Sequence, residues 1–273
     1  MLKKTERINC ISGETRVFGL VGDPVGHSFS PAFWNAAFAE LGINAVYLPF
    51  RVVSAEFAEA FEGLRALNVC GVNITMPHKT SASKRCQVLH SPADELKAVN
   101  TVSFSSAQSE GWNTDATGFK RILESLDSFT SVAVIGGGAV ARSVFWAIRQ
   151  FSHCRIINVR RSESGKADDE LFSRLNWTAK NIEYAVRESD IIVNATPLGT
   201  DNTNTIPGLI ENLDNTKVFV DLNYLSKLAN QASNKGCRVI DGRELLLQQG
   251  LESFKLLTGF EAPEKTFRKI IFH

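Results

Sequence analysis

Three observations predict an α/β protein of two domains. Apolar strand-like runs alternate with amphipathic helical stretches along the chain, and parallel sheets need such helical crossovers between neighbouring strands. The pattern restarts near Asp115, where a helix leads into an apolar strand and three consecutive glycines. At 273 residues the chain has room for two domains of ordinary size.

The first strand, 16–22, opens into a loop containing Ser28, Phe29, Ser30 and Pro31. Pro31 suits the first turn of a helix and Ser30 its N-cap. That helix carries Phe33, Ala36, Ala37 and Leu41 on one face and stops at Gly42. Strand 45–50 follows, and Ser54 caps a helix that buries Phe57, Phe61 and Leu64. The third strand, 69–75, ends at Met76 and Pro77, because proline cannot donate a ladder hydrogen bond. Asn73, Thr75 and Lys79 are thereby delivered near the carboxyl end of a strand, where open α/β sheets place ligands. An amide, a hydroxyl and an amine so close together suit a polyhydroxylated small molecule. A strand-to-helix turn with a solvated lysine reads the same residues equally well. A helix after Lys79, the segment 98–102 and a turn-rich stretch at 111–115 complete the first half.

In the second half a linking helix, 116–126, precedes strand 131–135. That strand runs straight into Gly136, Gly137, Gly138, Ala139, Val140 and Ala141, a G-x-G-x-x-A pattern opening a helix. The first glycine permits the tight turn, the second lets backbone approach a pyrophosphate, and the small last residue allows close helix packing. Amides at the helix start then hold the anion. The helix is expected to bury Val140, Val144, Ala147 and Ile148. Further strands are predicted at 155–159, 191–195, 218–222 and 238–240, with closing helices at 244–257 and 263–271. Strand 155–159 ends in Arg160 and Arg161, with no carboxylate before Glu163 to accept from a ribose 2′-hydroxyl. Two guanidiniums suit a 2′-phosphate, which favours NADP over NAD, although two arginines on a solvated strand end would look the same.

Apolar content of 44%, with 22% charged residues, is that of an ordinary globular protein. A formal charge of +1 provides no general attraction to nucleic acid or membrane surfaces. The five cysteines are scattered, odd in number and without a CxxC pair, which argues against a disulfide framework or structural zinc. No secretory apolar core follows the first basic residues, and no run approaches the ~20 apolar residues of a membrane span. The expectation is a cytoplasmic protein acting on a small molecule, without metal, as a monomer or homodimer.

With these pieces placed, the chain resembles the shikimate dehydrogenase family over nearly its whole length. The family's S-x-S-P stands at 28–31, N-x-T-x-P-x-K at 73–79, A-V-N-T at 98–101 and N-T-D-x-x-G at 113–118. Residues 194–199 are close to N-A-T-P-x-G, and Asp241-Gly242 and Gln249-Gly250 follow at the family's spacing. The resemblance implies a substrate domain of residues 1–114 plus 243–273 and a Rossmann-like NADP domain of residues 115–242. It implies reversible reduction of 3-dehydroshikimate to shikimate. Ser28 and Ser30 would bind the substrate carboxylate with help from Tyr224. Asn73, Thr75, Asn100, Asp115 and Gln249 would contact ring hydroxyls. Lys79 would be the catalytic lysine, with Asp115 as its partner. Gly136, Gly138, Ala139, Arg160, Arg161 and Thr196 would line the dinucleotide, with Gly242 near the nicotinamide.

Two departures stand out: the segment after Tyr224 is shortened and lacks the family's proline, and Glu244 replaces a common glycine. A ketone reduced by hydride needs a proton for the developing alkoxide, and Lys79 can give it. His27 and His78 border the motifs without an evident partner, so surface or loop positions are expected for both. Rival readings are a quinate/shikimate dehydrogenase using NAD or NADP, and a non-catalytic sensor of the same fold. Intact Lys79 and Asp115 argue against the sensor.

Overall fold

The computed structural model describes residues 11–104, 108–161, 171–199, 205–224 and 226–272. Two compact units emerge, one running to Thr114 and resuming at Gly250, the other spanning Asp115–Gln249.

The first unit is built on β1 (Arg16–Gly22), α1 (Ser30–Leu41), β2 (Ala45–Arg51), α2 (Phe57–Ala66), β3 (Gly71–Ile74), α3 (Lys79–Ser83), β4 (Val88–Leu89), α4 (Ala93–Leu96), β5 (Thr101–Phe104) and β6 (Ser109–Trp112). Its sheet has the order β2-β1-β3-β5-β6-β4. β1 is parallel to β2 and β3, whereas β5 is antiparallel to both β3 and β6. The sheet is therefore mixed rather than parallel throughout. A hairpin needs no helical crossover, which is why the helix–strand alternation of the sequence did not announce this one.

Both faces of this sheet are covered, so β1 is apolar on both sides. Val21, Val72 and Val102 face Phe57, Phe61 and Leu64 of α2. On the other face, Phe18, Trp34, Phe38, Tyr47, Phe254 and Phe267 pack together, mostly tilted or edge-on, with ring centroids 4.7–6.1 Å apart. Asn35, on α1, bonds outward to the edge strand. Its Nδ2 donates to the Tyr47 carbonyl and its Oδ1 accepts from the Tyr47 N–H, both at 2.9 Å.

The second unit contains α5 (Thr114–Glu124, from its second residue), β7 (Ser131–Ile135), α6 (Ala139–Ile148), β8 (Arg155–Arg160), β9 (Phe172–Asn176), α7 (Ala179–Arg187), β10 (Ile191–Asn194), β11 (Val218–Asp221), α8 (Lys227–Asn234), β12 (Arg238–Asp241) and the first residues of α9 (Gly242–Thr258). The remainder of α9 and α10 (Glu264–Phe272) belong to the first unit. All six strands are parallel in the order β12-β11-β10-β7-β8-β9. Counted from β7 this is the doubly wound order, with the topological switch point between β7 and β10. Val132, Val134 and Val193 pack under α5 and α6, and Ala133, Ile135 and Ile192 under α7 and α8.

Several local expectations change. Ser30 is the first residue of α1, not its cap: Phe29 already has helical angles, and Ser28 Oγ accepts from the Ser30 N–H at 3.2 Å. Ser54 starts a short 3-10 turn, and α2 begins at Phe57 without a side-chain cap. Val140 is 37% exposed, because the buried stripe of α6 runs through Ala141, Val144, Ala147 and Ile148. His78 is not on the surface. It is 1% exposed, stacks on Phe57 at 4.5 Å and bonds through Nε2 to the Val52 carbonyl at 2.6 Å.

Candidate active site

In the first unit the antiparallel β5 decides what meets at one sheet edge. Asn73 near the end of β3 pairs with Thr101 at the start of β5, and Thr101 pairs with Trp112 at the end of β6. The chain leaving β3, the chain entering β5 and the chain leaving β6 thus share an edge. The last continues directly into Asn113, Thr114 and Asp115.

A buried polar cluster stands at this edge. Asn73 Nδ2 donates to Thr101 Oγ1 and Ser253 Oγ, each at 3.0 Å, and its Oδ1 accepts from the Tyr47 hydroxyl at 2.9 Å. Ser253 Oγ also lies 2.8 Å from Thr101 Oγ1 and 3.0 Å from Thr114 Oγ1. Asn100 Oδ1 accepts the Thr114 N–H at 2.7 Å, and its Nδ2 donates to Thr114 Oγ1 at 2.9 Å. Asn100 thereby fixes the first residue of α5 just before Asp115. Ser30 is buried beside the Tyr47 hydroxyl, whose pKa is pushed well up by burial, an effect only partly offset by that serine.

Thr75 donates its N–H to the Val21 carbonyl at 2.9 Å and lies over Gly22, where a Cβ would meet its methyl at 2.2 Å. Lys79 is half-buried at the start of α3, and its carbonyl accepts from the Val99 N–H at 2.9 Å. Tyr47 and Ser253 escaped the sequence reading, and Thr101 and Thr114 stood in its motifs without a role of their own. Ser253 is 152 residues from Thr101, so no local signal could have found it.

In the second unit the ends of β7 and β10 carry the other half of the expected residues. Gly136 has φ +120°, and a Cβ there would come within 2.7 Å of the Ala195 carbonyl oxygen. Only glycine fits both conditions. Asn158 is wholly buried in β8 and donates from Nδ2 to the carbonyls of Val134 and Gly136 at 2.8 and 2.7 Å. The signal was present, since an amide in an apolar parallel strand must bond to something. Gly138 precedes α6 with nothing within 4 Å of its would-be Cβ, and Ala139 opens the helix exposed. Arg160 lies against Gly137, where a Cβ would sit 3.0 Å from its Cδ. Arg161 is exposed, with its guanidinium 5.3 Å from the Trp177 ring centroid.

The turn after β10 is held from within. Thr196 donates from Oγ1 to Asn194 Oδ1 at 2.7 Å, and Asn223 Nδ2 donates to the Thr196 carbonyl at 2.9 Å. Asn194 and Asn223 both donate to Oδ1 of Asp221, at 3.1 and 2.9 Å. Burial pushes the Asp221 carboxyl up, against these donors. The nearby Ser226 hydroxyl is directed to the Gly199 carbonyl at 3.2 Å, which leaves Asp221 Oδ2 without a formed hydrogen bond among the described residues. Gly242 donates its N–H to the Asn223 carbonyl and has the Leu222 carbonyl 2.5 Å from where a Cβ would stand. Tyr224 presents 47% of its surface, yet its hydroxyl is pushed up to about 12 by burial and by the Asp115 carboxylate. It is a neutral donor throughout the physiological range. Gln249 spends Nε2 on the Leu246 carbonyl at 2.9 Å, and its backbone seats on Gly118.

The donor set fits a dinucleotide. A glycine turn that side chains would fill, exposed amides at the start of α6 and two arginines at the next strand end are suited to phosphate. Among the described residues no group of three or more His, Cys, Asp or Glu could hold a metal, and no helix is long and apolar enough to cross a membrane.

Comparison with known proteins bears on both units. Residues 20–102 match the shikimate dehydrogenase substrate binding domain. The chain is 34% identical to a shikimate dehydrogenase (NADP(+)) of Methanopyrus kandleri, over 96% of each chain. It is similarly 34% identical to that of Thermococcus kodakarensis, over 93% and 95%. The shikimate dehydrogenase structure from Aquifex aeolicus superimposes with a TM-score of 0.87 at 32% identity, covering 96% of this chain and all of that one. Another, solved with NADP+, gives 0.84 at 31% identity over 96% of both chains. Identity at this level over almost the full length means that the chain belongs to the shikimate dehydrogenase family.

Proposed function

We propose that the chain is an NADP-dependent shikimate dehydrogenase interconverting 3-dehydroshikimate and shikimate, with Lys79 as proton donor. The observation that carries the reading is identity over almost the full length to relatives named for this NADP(+) activity.

Ser28 and Ser30 stand at the start of α1, where two hydroxyls and the helix dipole favour a carboxylate. Tyr224, kept protonated, is a third donor for the same group. Thr75, Asn100, Asp115 and Gln249 are the partners for ring hydroxyls. Asn73 contributes from one side only, since its amide donors already hold Thr101 and Ser253. When bound, NADPH would supply the hydride for reduction, and NADP+ would accept it in the reverse direction. Gly136, Gly138, Ala139 and Thr196 would line its phosphates and nicotinamide ribose, Gly242 its nicotinamide end, and Arg160 and Arg161 its 2′-phosphate. Lys79 gives its proton to the carbonyl oxygen as negative charge develops there, so its contribution is greatest in the transition state.

The test is an assay of shikimate and quinate, each with NADP and NAD, on the wild type and on Lys79→Met. Shikimate with NADP should be preferred. Lys79→Met keeps the stem's bulk and should lower kcat ~10²–10⁴-fold with little change in KM. Turnover of quinate with NAD as efficient as shikimate with NADP would overturn the substrate assignment. A folded Lys79→Met protein with normal kcat would remove the lysine from the mechanism.

A further inference from the structure

We infer that Trp177 is a specificity-determining residue, a platform that holds Arg161 ready for the 2′-phosphate of NADP. This rests on the NADP reading above and deepens it. The register of the second sheet is the starting point. Arg160 at the end of β8 pairs with Asn176 at the end of β9, so one step further Arg161 and Trp177 leave adjacent strands side by side. The Arg161 guanidinium carbon stands 5.3 Å from the Trp177 ring centroid, within cation–π range.

The platform is itself fixed. Trp177 is half-buried and packs against the core that contains Ile157, Val159 and Ile182. The next residue, Thr178, is the N-cap of α7 and accepts the Asn181 N–H at 3.1 Å, which sets the backbone directly after the ring. On the other side, the stem of Arg160 is braced on Gly137. The two arginines of the strand end are therefore held from opposite neighbours, one by the glycine turn and one by an aromatic ring.

The chemistry follows from geometry. An exposed arginine loses much rotamer freedom when it pairs with a ligand, and a partner that orders it beforehand removes part of that cost. Stacking uses the flat face of the guanidinium, whereas hydrogen bonds to phosphate run from its edge. The ring thus orients Arg161 without competing for the phosphate. NAD has a hydroxyl at this position, so the platform matters for one cofactor and not the other.

Binding measured by calorimetry tests this on the whole protein, with adenosine 2′,5′-bisphosphate and 5′-AMP as probes and NADP and NAD as confirmation. Trp177→Leu keeps apolar packing and should weaken the bisphosphate roughly two- to fivefold while leaving 5′-AMP unchanged. Trp177→Phe should retain most of the discrimination. Arg161→Ala should weaken the bisphosphate about tenfold or more, and adding Trp177→Leu to it should cost nothing further. Equal weakening of both probes by Trp177→Leu would mark a merely structural ring and overturn the inference. An unchanged ratio in Trp177→Leu, with a reduced ratio in Arg161→Ala, would overturn it and leave the NADP reading standing. An unchanged ratio in Arg161→Ala would overturn the placement of the phosphate and this inference together.

Discussion

The two units solve the problem of presenting polar groups in different ways. In the first, side chains bond to side chains: Tyr47, Asn73, Thr101, Thr114 and Ser253 hold one another, with Asn100 attached through Thr114. In the second, side chains bond chiefly to backbone. Asn158 grips one carbonyl of β7 and one of the glycine turn, and Asn223 holds the carbonyl of Thr196. The first arrangement fixes the direction of hydroxyls and amides, which is what recognition of a ring with several hydroxyls requires. The second fixes the shape of a turn, which is what a phosphate held by main-chain amides requires. Substitutions should therefore alter what is recognised in one unit and whether the turn keeps its form in the other.

The largest effect is expected at Gly136. A methyl there meets the Ala195 carbonyl at 2.7 Å in a backbone conformation with φ +120°. Gly136→Ala should destabilise the second unit by roughly 1–3 kcal/mol or more and abolish measurable NADP binding. Titration with NADP and a thermal melt would check both, and retained affinity would show that the turn is not part of the site.

A reciprocal pair gives a smaller but sharper test. Ser253→Ala removes the hub of the first cluster and should raise KM for shikimate by roughly five- to tenfold, the equivalent of ~1–1.4 kcal/mol, with NADP affinity intact. Asn158→Leu should do the reverse by a similar factor, since it releases the Gly136 and Val134 carbonyls. If either variant shifted both ligands equally, the division of labour would fail.

The smallest effect concerns the thiols, where the two units should behave alike. Burial pushes Cys86 up to about 12, and burial together with Asp190 pushes Cys154 up to about 11. A folded-state value above the unfolded one means that this contribution to stability is complete below about pH 9 and is lost as pH rises through the folded values. At pH 8 both should resist iodoacetamide until the protein is unfolded, and stability should decline from pH 9 upward. Rapid alkylation of Cys86 in the native protein would contradict its raised pKa.

Much of this was legible in the sequence because parallel strands with two covered faces write themselves as apolar runs. Strands 131–135 and 191–194 are of that kind. The motif residues were legible for a similar reason, since Pro77 and the glycines after Ile135 are backbone instructions. The hairpin of β5 and β6 was missed because Ser103, Ser109 and Glu110 dilute its apolar pattern. His78 lies in a loop as expected, but its burial was missed because nothing near it in sequence announces Phe57 or the Val52 carbonyl, both more than twenty positions away. Ser253 was invisible for the same reason on a larger scale. Local chemistry can be read along a chain, whereas a hydrogen-bond partner supplied by the fold cannot.

The amide of Asn35 has a consequence for solubility. β2 is an outer strand, and Asn44 and Val52 bond inward to β1, so the odd-numbered residues between them turn their backbone groups away from the sheet. Tyr47 would offer a bare N–H and C=O to any passing chain, but Asn35 occupies both as a one-residue imitation strand. Two residues on, Pro49 has no N–H to offer. The outer margin is thereby deprived of consecutive pairing sites. A sheet ending in an uncovered AVYLPFR segment would be a template for fibril growth, and one asparagine with one proline is enough to blunt it.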